Sequence, residues 1–97
     1  MNTKLKNPAD PLAQWLSGIS DPDEMRQALT VMLTEKELGE VEKRLQIYQL
    51  LMQKKPQREV ASALGVGIAT VSRGARALRS EKFEVLEKYL DPTNAQD

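Results

Sequence analysis

The stretch from Gln57 to Gly74 restricts the possible folds of this chain more than any other. Val60 and Leu64 lie one helical turn apart and share a face. Ala61, between them, is small enough for a second helix to cross close by. Gly65 follows the last apolar residue and can take the left-handed conformation that ends a helix. Ile68, Val71 and Ala75 then resume a helical stripe. Two short helices about a tight turn satisfy this pattern, which predicts a helix-turn-helix over about residues 56–78. Among the remaining positions, Ala69, Thr70, Ser72, Arg73 and Arg76 are small, hydroxylated or cationic. Such side chains can approach a base edge or a phosphate without apolar bulk in the way. A plain helical hairpin with a solvated polar face satisfies the same pattern.

Composition narrows the chemistry. The 97 residues suit one small domain spanning 1–97, and only one Trp, one Phe and two Tyr are present to fill a core. A core shared between two copies would compensate. The chain has no Cys and no His, which removes disulfides, thiolate or imidazole metal sites, and Cys-His or Ser-His catalysis. No set of polar residues suggests a catalytic constellation, so an enzyme is not expected, and neither is a metal or a cofactor. No signal peptide and no apolar span of membrane length is expected, and a cytoplasmic protein is the default.

The net charge is zero, but it is unevenly spread. Residues 1–40 sum to −3, residues 41–80 to +6 and residues 81–97 to −3. The basic block coincides with the helix-turn-helix, as a phosphate-binding surface requires, and the acidic ends argue against indiscriminate binding to polyanions.

Taken in order, residues 1–9 are polar and aperiodic and read as a mobile arm. Asp10-Pro11 is a helix-start signal, and Leu12, Trp15, Leu16 and Ile19 extend an amphipathic helix over about 11–19. Asp21-Pro22 repeats the signal for a helix over about 22–32, striped by Met25, Ala28, Leu29 and Met32. Thr34 and Glu37 form a capping box that opens the longest helix, about 35–53. Leu38, Val41, Leu45, Tyr48 and Met52 line one side of it, and Ile47, Leu50 and Leu51 widen that side. Such a helix belongs at the centre of a fold, with a second subunit as one of its walls. Lys54-Lys55-Pro56 ends it. Ser80 caps a last helix over about 81–90, carrying Phe83, Leu86 and Leu90, before Asp91-Pro92 and a disordered tail. The expectation is an all-α chain of six helices, the fourth and fifth forming a reading head.

The run Leu64-Gly65-Val66-Gly67-Ile68-Ala69-Thr70-Val71-Ser72-Arg73-Gly74 closely resembles the tryptophan repressor family. So do Met32-Leu33-Thr34 followed by Arg44, and Gln57-Arg58-Glu59; the likeness runs from about Val31 to Leu78. It implies an intertwined homodimer whose helices build one core. It also implies a repressor that binds double-stranded operator DNA and is activated by L-tryptophan as corepressor, regulating tryptophan biosynthesis. Carried over by position, Arg44 and Arg73 flank the indole ring and Arg73 also meets the ligand carboxylate, since a guanidinium both stacks and forks onto oxygen. Val31, Leu33 and Thr34 supply backbone and wall near the ligand amine. Thr70 and Gly74 line the pocket, Gly74 because a side chain there would meet the ring. On DNA, Arg58 reads a guanine edge or phosphate, Ile68, Ala69 and Ser72 face the major groove, and N–H groups near Gly67 contact phosphate. Read from the residues alone, Arg44 and Arg73 suit surface ion pairs better than a ligand site, and Ile68 suits core packing as well as a groove contact.

The chain departs from the family pattern at three places. Ala61 replaces a base-contacting lysine, Ala77 replaces a serine that assists the ligand carboxylate, and the connection into the reading head is one residue shorter. Two other functions therefore stay open: a relative that binds DNA with a different ligand or none, and a helical adaptor that binds protein through the long helix. The +6 segment counts against the adaptor.

Overall fold

The structure, a computed structural model, describes residues 10–85 and 87–90, and every regular element in them is an α-helix. The chain divides into two compact units, Met1–Leu38 and Gly39–Asp97. The expected arm at 1–9, Leu86, and the Asp91-Pro92 stop lie outside the described residues.

The first unit contains α1 (Pro11–Ser17) and α2 (Pro22–Met32), and α3 (Glu35–Met52) begins within it. Both helix-start signals work as read. Asp10 Oδ1 accepts from the N–H of Ala13 at 3.2 Å and Asp21 Oδ2 from that of Glu24 at 3.0 Å, each with proline in the first turn. α1 stops two residues before its apolar stripe does. The N–H groups of Gly18 and Ile19 turn back to the carbonyls of Trp15 and Leu16 at 3.2 and 3.1 Å, a tightening that ends the α-helical ladder. The capping box is complete: Glu37 donates its N–H to Thr34 Oγ1 at 3.1 Å, and Thr34 donates its own to Glu37 Oε1 at 2.9 Å. Ala28 and Leu38 are buried here, whereas Trp15 stays 46% exposed on an open groove with Ile19, Ala28 and Val31.

The second unit holds most of α3 together with α4 (Gln57–Leu64), α5 (Ile68–Leu78), α6 (Glu81–Glu84) and α7 (Glu87–Leu90). Its core is one side chain from each of three helices: Ile47, Val60 and Val71, at most 2% exposed. Tyr48, Leu50, Leu51, Ala61, Leu64 and Val66 pack around them. Within the chain, then, the buried side of α3 runs through Ile47, Leu50 and Leu51. Val41 and Leu45, expected along the same apolar side, remain about two-fifths exposed, at 40% and 43%. Phe83 of α6 meets Tyr48 of α3 edge-on, with ring centroids 5.8 Å apart.

The number of helices differs from expectation, seven rather than six among the described residues, because the segment 81–90 is interrupted. Ser80 caps α6 as expected, accepting from Phe83 N–H at 3.3 Å. Val85 then bonds its N–H to the carbonyl of Phe83 rather than to one four residues back, which breaks the ladder where no glycine or proline announces it.

The end of α3 also rests on a feature without a local signal. Lys54 takes a left-handed backbone, φ 69°, so that its N–H reaches the carbonyl of Leu51 at 2.9 Å and that of Lys55 reaches Leu50 at 3.2 Å. This is the helix stop that glycine usually makes, built on a lysine that pays the side-chain penalty of that conformation. Lys54→Gly is therefore expected to stabilise the fold by about 0.5–1 kcal/mol in urea unfolding, the relief of strain outweighing the added freedom of the unfolded chain.

Candidate nucleic-acid interface

The helix-turn-helix follows from two glycines with different tasks. Gly65, at φ 67°, is the left-handed cap of α4 and returns its N–H to the carbonyl of Ala61; Val66 N–H reaches the same carbonyl at 3.1 Å. Gly67 is extended and stands at the cap position of α5, where it offers no side chain to the helix N–H groups. The first turn of α5 contains no acidic residue either. The positive end of its dipole is thus left to solvent, a disposition suited to an anion.

Three of the residues expected to meet DNA lie at this end. Gly67, Ile68 and Ala69 are exposed in sequence at the start of α5, and Arg58 is exposed in the first turn of α4. Ile68, which could have been core, is half exposed at 50%. Ser72 is half-buried, and its hydroxyl donates to Gln57 Oε1 at 2.9 Å, tying α5 to the beginning of α4. Gln57 thereby joins the face beside Arg58, a placement that only the fold reveals. In the same unit Lys54, Lys55, Arg58, Arg73, Arg76 and Arg79 are all exposed; Lys55 also lies 4.0 Å from Glu59, one turn on.

The residues expected to hold the ligand are divided between the units. Val31, Leu33 and Thr34 belong to the first; Val31 is exposed, Leu33 is extended and half-buried, and the Thr34 hydroxyl is engaged in the capping box. Arg44, Thr70, Arg73 and Gly74 belong to the second. Arg44 is exposed on α3, and Arg73 Nη2 lies 3.4 Å from Thr70 Oγ1, one turn back on α5. Gly74 is buried, and a Cβ there would stand 2.8 Å from Ile47 Cγ2. The chain's own packing therefore demands a glycine at 74, independently of any ligand ring. Ala77 is half-buried, and its carbonyl accepts from Ser80 Oγ at 2.9 Å.

Against known proteins, the sequence profile described as Trp repressor protein matches residues 8–90. The chain belongs to the Trp repressor family. Individual members agree with this placement. A Trp operon repressor homolog of Xylella fastidiosa is 40% identical over 63 residues, covering 64% of this chain and 68% of its own. Homologs of the same description from Vibrio atlanticus and Vibrio cholerae are 34% and 33% identical over 62 and 73 residues. They cover 63% and 70% of this chain and 63% and 71% of their own lengths. No solved structure matches the chain. The Trp repressor profile takes in every helix described here, including α1 and most of α2, which lie outside the stretch from about Val31 to Leu78 that carries the resemblance.

The Gly74 contact bears on how this family member can be probed. Ile47 is buried and branched at Cβ, so its Cγ2 methyl has no free rotation by which to withdraw. Gly74→Ala is expected to lower stability by about 1–3 kcal/mol in denaturant unfolding, the cost of overpacking a filled core. An unchanged midpoint would mean that α5 can lift from α3 without loss.

Proposed function

We propose that this chain is a DNA-binding transcriptional repressor of a Trp operon, working as a homodimer with L-tryptophan as its corepressor. The observation that carries the proposal is the exposed, uncapped start of α5, Gly67-Ile68-Ala69, beside Arg58 in the basic part of the chain. Membership of a regulatory family supports it, as do relatives described as Trp operon repressor homologs. An adaptor that binds protein has no use for this combination of charge and free helix end.

In this reading the N-terminal N–H groups of α5 bind phosphate and fix the register. Arg58 reads a guanine edge, while Ile68, Ala69 and Ser72 approach bases in the major groove. Two heads presented about 34 Å apart match successive major grooves, which requires two copies. Val41, Leu45 and Trp15 support that assembly, being apolar side chains left substantially in water by the single chain. L-Tryptophan sets the heads at the right spacing by binding the competent orientation more tightly than the alternatives. Arg44 and Arg73 hold the indole and carboxylate, and Thr70, Gly74, Val31, Leu33 and Thr34 line its site. Among the described residues no helix is long and apolar enough to cross a membrane.

The direct test is a titration of an operator selected from random duplexes, with and without saturating L-tryptophan. Tryptophan is expected to tighten operator binding, operator to tighten tryptophan binding by the same factor, and two chains to occupy each operator. Identical curves would remove tryptophan and leave a relative with another signal or none. Tryptophan affinity itself is expected to be several-fold weaker than in a member with serine at position 77, since Ala77 forfeits one hydrogen bond, worth about 1 kcal/mol. Arg58→Ala is expected to cost about 1–3 kcal/mol on the selected operator and much less on random DNA, as a lost arginine–base contact does.

A further inference from the structure

We propose that Lys43 is a positioning residue for the reading head: its ammonium clasps the carbonyl that closes α4 and so fixes the angle at which the head stands on α3. The inference rests on the reading of α4 and α5 as the DNA-binding element. Lys43 Nζ donates to the backbone carbonyl of Leu64 at 3.3 Å, across a separation of 21 residues. Leu64 is the last residue of α4. The two N–H groups that close the following turn, those of Gly65 and Val66, both go to the carbonyl of Ala61. The Leu64 carbonyl, at the negative end of the α4 dipole, takes its hydrogen bond from a cation on α3 instead. Lys43 is half-buried, whereas Lys54 and Lys55 in the same basic segment are exposed.

The location makes the contact more than a surface tie. Ile47 lies one turn beyond Lys43 on the same face of α3 and is the residue against which Gly74 of α5 is packed. Two neighbouring positions of α3 thus hold the two helices of the head, Ile47 beneath α5 and Lys43 at the end of α4. Apolar packing through Ile47, Val60 and Val71 is non-directional and permits rocking. A charge-assisted hydrogen bond onto a carbonyl is directional, and it acts on the turn, Gly65 to Gly67, that sets the course of α5.

The test compares the parent protein with Lys43→Met, which keeps the apolar stem, Lys43→Gln, which keeps folding competence should the methionine variant lose it, and Lys43→Arg, which keeps the charge. Amide hydrogen exchange across residues 64–67 is measured without DNA. Affinities for the selected operator and for a random-sequence duplex are measured over a range of salt concentrations. Lys43→Met and Lys43→Gln are expected to speed exchange in the turn and to weaken operator binding about three- to tenfold, the range for one lost hydrogen bond. Random-duplex affinity and the slope of log K against log salt should stay at the parent's values, and Lys43→Arg should restore both exchange and operator binding. Unchanged exchange overturns the clasp. A slope reduced by about one overturns it too, because Lys43 would then be a phosphate contact. If the parent binds neither duplex, the DNA-binding reading fails, and the exchange measurement still decides whether Lys43 holds the turn.

Discussion

The burial of Ile47, Val60 and Val71 against one another is the interaction on which the second unit depends. Each comes from a different helix, so no pair of helices can separate without exposing all three side chains to water. At about 1.5–3 kcal/mol for each buried aliphatic side chain, this cluster is the main cohesive element of a unit with few other buried residues. The close approach that buries them is permitted by the missing side chain at Gly74, where a Cβ would run into Ile47. The head is therefore seated on α3 by shape, and directional polar contacts act on the angle that this seat leaves open.

That seating leaves α5 with an uncommitted beginning. Its cap residue has no side chain, its first turn has no acid, and its leading Ile68 remains half in water. Each of these is mildly unfavourable for an isolated helix. Together they leave the helix end open to an external anion, as the proposed DNA-binding reading requires. The Ser72–Gln57 hydrogen bond and the Lys43–Leu64 contact restrain the head at opposite ends of α4, which keeps this surface in a defined pose despite the small core.

Each departure from the family pattern has a defined structural setting. Ala61 is half-buried beside the core cluster, so the side chain that would have been a lysine is here part of the packing of α4. Ala77 is also half-buried and contributes its carbonyl to the Ser80 hydroxyl. The shortened connection into the head is accommodated by the left-handed Lys54 and, after Lys55, the extended Pro56 that caps α4.

Much of this was written locally in the sequence. The proline-led helix starts at Asp10 and Asp21, the Thr34–Glu37 box, the Gly65 cap and the apolar stripes each depend on residues within one or two turns of each other, so their spacing alone determines them. The basic block and the exposure of Arg58 were legible for the same reason. What only the tertiary structure decided involves partners far apart in the chain. The buried side of α3 runs through Ile47 while Val41 and Leu45 stay exposed, because α4 and α5 cover one side of a helix that is apolar on more than one. Gly74 is required by Ile47, Gln57 joins Ser72, and Lys43 reaches Leu64, none of which periodicity encodes. Local hydrogen bonding sets where helices begin and end, whereas the choice among several apolar faces, and of the partner for each polar group, is made only when the helices meet.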